Sequence, residues 1–72
     1  MPYVNISMYS GRDDSTKKDI ARKIQAFLSK ELGMEDKYVS VSIEDVLPEN
    51  WEERMKALKK EDIIIPPFLS EK

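Results

Sequence analysis

Proline at position 2 of MPYVNISMYSGR is the first residue with unusual chemical potential. Its ring fixes φ and leaves no backbone N–H, so in a strand-like stretch it reads as a blunted edge. Removal of Met1 would instead make Pro2 a free N-terminal secondary amine, a base and nucleophile that no internal residue provides. Arg12 follows ten residues later as a cation. The chain has no His and no Cys, which excludes Ser–His and Cys–His nucleophile systems and soft metal sites. Two glycines, one on each side of a predicted helix, do not make a phosphate loop. The acid pairs Asp13–Asp14, Glu52–Glu53 and Glu61–Asp62 fall at element ends, where solvated caps explain them better than catalysis or hard-metal binding. Pro2 and Arg12 are left as the candidate chemical pair, and no cofactor or metal is expected.

The elements that must position this pair follow from hydrophobic spacing. Residues 2–9 alternate, with Val4, Ile6 and Met8 on one face and Tyr3, Asn5, Ser7 and Tyr9 on the other. Ser10–Gly11–Arg12 forms a turn, and Asp13–Asp14–Ser15–Thr16 offers side-chain oxygens to the free N–H groups of a helix start. Over 14–32, Ile20, Ala21, Ile24, Phe27, Leu28 and Leu32 make one apolar stripe, with Lys17, Lys18, Lys23, Lys30 and Glu31 on or near the opposite side. Gly33 then occupies the left-handed C′ position. Residues 38–46 alternate again, Val39, Val41 and Ile43 against Ser40, Ser42 and Glu44.

Strand, helix, strand with a crossover of this length is a right-handed βαβ unit with parallel strands, an α/β class that some schemes call α+β. Pro48 and the following glutamates suit a short helix over 48–60, in which Trp51, Met55 and Leu58 share a face. Residues 61–72 form an apolar tail with two prolines, expected to pack on a neighbouring subunit. Residues 1–72 thus read as a single domain. On this layout Arg12 sits just past the far end of the strand that Pro2 begins, roughly 25 Å away at about 3.3 Å per residue. The two act together only if Arg12 comes from another copy.

The pattern P-Y-V-N-I-S-M-Y-S-G-R, an amphipathic helix ending L-G, then V-S-V-S-I-E-D-V-L-P-E-N-W resembles the 4-oxalocrotonate tautomerase family, nearest to its small, often dimeric branch. The resemblance covers about residues 2–51. It implies a cofactor-free keto–enol tautomerase, an isomerase acting on a 2-keto acid and its enol. Pro2 would be the general base, and Arg12 would bind the substrate carboxylate and polarise its carbonyl. Trp51 would close the pocket and keep it dry. Best-known members carry a second arginine in the second strand where this chain has Ser40, so the resemblance points to a monoacid such as an aryl-enolpyruvate, with Ser40 lining the substrate site. Arg54, one turn after Trp51, is a possible substitute, although a solvated helix arginine is the simpler reading. Related dehalogenase or hydratase chemistry also occurs in the family. A non-catalytic binding or assembly module on the same fold is the alternative, and it would follow if the N terminus stayed blocked.

Physical chemistry accommodates the proline base. An α-amino group titrates near 7.7–8.0 and a prolyl amine higher, so a base at pH 7 requires a lowered pKa. Apolar surroundings and a nearby cation both disfavour the ammonium, and a drop of about two units corresponds to ~2.7 kcal/mol. Ordinary readings stand beside each role: Pro2 as a strand start, Arg12 as a solvated turn residue, Trp51 as core or interface.

The 72-residue length makes self-association the expected support. A domain this small buries about 60% of its unfolded surface, and its lone core rarely supplies more than roughly 3–5 kcal/mol. A homo-oligomer is expected, either a dimer with a sheet joined across the interface or a hexamer as a trimer of dimers. Net charge is −2 with 36% charged residues of mixed sign, which disfavours nucleic acid as a partner. No apolar run approaches the ~20 residues of a membrane span, and no signal-peptide core follows Met1, so a cytoplasmic location is expected.

Overall fold

A computed structural model describes residues 1–66 and builds the order strand, helix, strand, short helix. The first strand, β1, spans Tyr3–Tyr9, and the long helix α1 spans Asp14–Leu32. A 3₁₀ turn over Asp36–Tyr38 leads into β2, Ser40–Val46. A second 3₁₀ turn over Pro48–Asn50 precedes α2, Trp51–Lys56, and a third covers Lys60–Asp62. β1 and β2 pair in parallel with Tyr3 opposite Ser40 and Tyr9 opposite Val46, as the βαβ reading requires. The expected strand over 38–46 starts later because Asp36–Tyr38 is wound into a turn. The expected helix over 48–60 shrinks to α2 between two turns, because Pro48 opens a 3₁₀ segment and Lys59 is extended.

Both ends of α1 are closed by the expected residues. Asp13, extended at φ −79° and ψ 169°, accepts a 2.9 Å hydrogen bond from the Thr16 N–H. Hydrogen bonding from the Thr16 side chain and then from its backbone N–H holds the Asp13 carboxyl below its ordinary 3.8. At the other end Gly33 is left-handed at φ 66°, where an L side chain is strained. Its N–H bonds the Lys30 carbonyl at 3.3 Å, and the Met34 N–H bonds the Ser29 carbonyl at 3.0 Å, which is the Schellman closure.

Residues paired across a parallel ladder share a face, so Val4, Ile6 and Met8 lie with Val41 and Ile43 beneath α1. The buried hydrophobic residues among those described are Val39 and Val46, 3% and 6% exposed. Two members of the expected apolar stripe stay outside this core: Phe27 is 63% exposed and Leu32 52%. Strands lie about 4.8 Å apart, so a two-stranded sheet is too narrow to cover the edge of the stripe or its last turn.

Lys17 departs from its expected solvent face. It is half-buried, and its Nζ lies 2.9 Å from an Asp45 carboxylate oxygen on β2 and 3.8 Å from Asp14. The hydrogen bond to Asp45 raises its pKa above the ordinary 10.5. Ser29, a polar residue on the helix, is buried with its hydroxyl donating to the Asp36 carboxylate in the turn before β2 and lying 3.1 Å from the Ala26 carbonyl. Gln25 reaches the same turn, its amide donating to the carbonyls of Asp36 at 2.8 Å and Val39 at 3.2 Å. These bonds fix where β2 begins. For the tail, Ile63 is half-buried while Ile64 and Ile65 are both 87% exposed. Residues 67–72 of the expected tail lie outside the described residues.

Candidate active site

Pro2 is half-buried immediately before β1, and its carbonyl accepts a 3.1 Å hydrogen bond from the Ser40 N–H. That bond is the first rung of the parallel ladder. It places Pro2 and Ser40 at one end of the sheet because a parallel pair aligns both strand starts. A proline serves here without loss, since the rung uses its carbonyl and needs no N–H.

Arg12 lies at the opposite end. Beyond β1 the Ser10 N–H continues the ladder to the Val46 carbonyl at 3.0 Å, and Gly11 turns the chain with φ 125°, a conformation glycine alone adopts readily. The exposed Arg12 guanidinium folds back to donate 3.2 Å to the Tyr9 carbonyl. Trp51 meets the same residue, its indole standing edge-on to the Tyr9 ring with centroids 5.1 Å apart and planes at 87°. A single chain therefore gathers Arg12 and Trp51 around Tyr9, and Pro2 with Ser40 about seven residues of strand away. It does not bring Pro2 and Arg12 together. The separation read from the sequence persists in three dimensions.

The sheet face away from α1 carries a hydrogen-bonded polar row that alternation alone left as surface. The Tyr3 hydroxyl and Ser42 Oγ lie 2.6 Å apart, and Asn5 Nδ2 donates to the same Ser42 oxygen at 2.8 Å. Ser7 Oγ donates to Glu44 Oε1 at 3.1 Å, and Arg54 Nε donates to that oxygen at 3.2 Å. Arg54 is thus paired with a carboxylate on β2 while remaining partly exposed, where the simpler sequence reading has it solvated without a partner. Its role could have been suspected from the register, because Ser7 and Glu44 are cross-strand partners below the short helix. Between α2 and this face lies a cavity of about 310 Å³ lined by Asn5, Ser7, Trp51, Arg54, Met55 and Leu58, among others. Neither Pro2 nor Arg12 lines it. Among the described residues, no group of three or more Asp or Glu side chains is placed to hold a metal ion.

A small parallel βαβ unit led by a proline, with an arginine at the strand–helix turn and an aromatic after the second strand, defines a recognisable class. The chain belongs to the tautomerase family: the family model described as "Tautomerase enzyme" matches residues 2–54. It is 37% identical over 51 residues to a protein of Ralstonia nicotianae named as a probable tautomerase, covering 71% of this chain and 78% of that one. It is 31% identical over 51 residues to a "Probable tautomerase" of Xylella fastidiosa, covering 71% of this chain and 62% of that one. The chain thus spans less than two thirds of the second relative. Membership of the family supports a tautomerase-type isomerase.

Proposed function

We propose that the protein is a cofactor-free keto–enol tautomerase acting on a 2-keto acid and its enol, such as an aryl-enolpyruvate. Pro2, freed by removal of Met1, takes the proton from the enol hydroxyl and returns a proton to the neighbouring carbon. Arg12 of a neighbouring copy binds the carboxylate and stabilises the charge that develops on the oxygen. Trp51 forms a wall of the pocket, and Ser40 stands beside Pro2 where its small side chain leaves room for an uncharged substrate end. The observation that carries this reading is the position of Pro2: half-buried at a sheet end, with its carbonyl held by Ser40 and the chain matched to the family from that residue onward. A base fixed by a backbone hydrogen bond loses little orientational freedom on reaction, and a positioned base contributes about 10²–10⁴ in rate.

The distance between Pro2 and Arg12 within one chain supports an oligomer in which two copies complete each site. Two sheet edges unpaired among the described residues and an exposed apolar segment at Ile64–Ile65 support the same conclusion. No helix among the described residues is long and apolar enough to cross a membrane.

Intact mass is the first measurement, and loss of one Met residue is the expected result. In processed protein, Pro2→Ala is expected to lower turnover of an aryl-enolpyruvate at least tenfold while the assembly keeps its size. Unchanged turnover overturns the proline base. A retained Met1 in active protein would do the same, because an amide nitrogen is not a base.

A further inference from the structure

The short helix that carries Trp51 is held to the sheet by very little. Among the described residues its one side-chain hydrogen bond is Arg54 Nε to Glu44 Oε1, 3.2 Å, and its one aromatic contact is Trp51 on Tyr9. With six residues, α2 is too short to be stable on its own propensity. A cavity of about 310 Å³ is lined by Asn5 and Ser7 of the sheet and by Trp51, Arg54 and Met55 of α2. A short helix bordering such a space gains a defined height and rotation from a strut to the sheet. Arg54 follows Trp51 by three positions, so both side chains leave α2 on neighbouring lines of one face. Glu44 is itself braced, because Ser7 on β1 donates to the same carboxylate oxygen at 3.1 Å.

We propose that Glu44 is a positioning residue for the reaction, acting through Arg54 to fix α2 and thereby the orientation of Trp51. The proposal rests on Trp51 being a pocket wall, as inferred above. Neither Glu44 nor Arg54 needs to touch substrate. The pair is partly solvated, with side chains 44% and 28% exposed, so its value lies in geometry more than in stability. A wall that contacts the non-reacting part of a substrate binds ground and transition states alike. Its misplacement therefore raises KM and leaves kcat in place.

Trp51 is the single tryptophan of the chain, so its fluorescence reports α2 alone. In Glu44→Ala, the emission is expected to shift to the red and the near-ultraviolet dichroism of the Tyr9–Trp51 pair to weaken. KM for an aryl-enolpyruvate should rise about two- to fivefold, the range that the coupling of an exposed ion pair corresponds to. Arg54→Ala should do the same, and the double variant should be no worse than either single one. The exchanged pair, Glu44→Arg with Arg54→Glu, should restore both spectrum and KM, which a loss of bulk stability would not allow. An unchanged Trp51 spectrum in folded Glu44→Ala overturns the clamp. Should that variant not fold, Arg54→Ala, altered on the helix surface, carries the same test. A shifted spectrum with unchanged KM overturns the link to substrate and the wall assigned to Trp51. The spectra need no turnover, so a failed tautomerase reading and a failed clamp give different results.

Discussion

Arg12 shows how separable function and folding are at the scale of one residue. Its guanidinium is exposed and, among the described residues, makes one intrachain bond, to the Tyr9 carbonyl, which water can replace. Arg12→Ala is therefore expected to leave the melting temperature nearly unchanged while lowering kcat/KM for a 2-keto acid substrate at least tenfold, and by about 10²–10³ if it supplies one full charge-stabilising donor. Arg12→Lys should recover little, since an ammonium cannot offer the planar fork that matches a carboxylate. Steady-state kinetics beside a thermal melt checks both statements, and a melting point that falls with activity would return Arg12 to the turn. At this scale the sequence was informative where a residue's chemistry is intrinsic. Pro2 and Arg12 stand out by type. Lys17, Ser29 and Arg54 do not, because their partners Asp45, Asp36 and Glu44 lie on other elements and only the fold brings them near.

Elements were legible in proportion to their local signals. α1 runs over the span its spacing predicts, because Asp13 and Gly33 mark its ends with side-chain and backbone chemistry of their own. α2 has no such marks: neither end has a side-chain cap bond, and its boundaries follow from Pro48 and an extended Lys59. The start of β2 depends on Gln25 and Ser29 holding a turn from across the helix, which no local pattern reveals. The Asp13 cap can be tested through pH. Asparagine caps a helix about as well as aspartate, so Asp13→Asn removes the charge and keeps the bond. Because the folded carboxyl titrates below its ordinary 3.8, the wild type's advantage over Asp13→Asn is present above that value. It shrinks as pH falls through the lowered folded value and vanishes where both states are protonated. Thermal melts of the two proteins at neutral and strongly acid pH should show this convergence. A gap that persists in acid would mean the carboxylate charge plays no part.

At the scale of the whole molecule, a single chain leaves apolar surface and sheet edges for a second copy to cover. Its described core buries two hydrophobic side chains almost fully, while Phe27, Leu32, Ile64 and Ile65 remain open and, among the described residues, neither outer sheet edge has a partner strand. That incompleteness matches the split candidate site, with Pro2 and Arg12 at opposite ends of β1. Suppose each site takes Pro2 from one copy and Arg12 from another. Neither Pro2→Ala nor Arg12→Ala protein should then be active alone. Unfolding and refolding an equal mixture assembles the copies at random. A given site then receives an intact Pro2 half the time and, independently, an intact Arg12 half the time. Activity should therefore return to about one quarter of wild type, in a dimer and in a hexamer alike, because closed symmetry makes every site equivalent. If both residues came from one chain, no mixture could contain a complete site and activity would stay at the level of the separate variants. Comparing the refolded mixture with each variant refolded alone decides between the two arrangements without knowledge of the number of subunits.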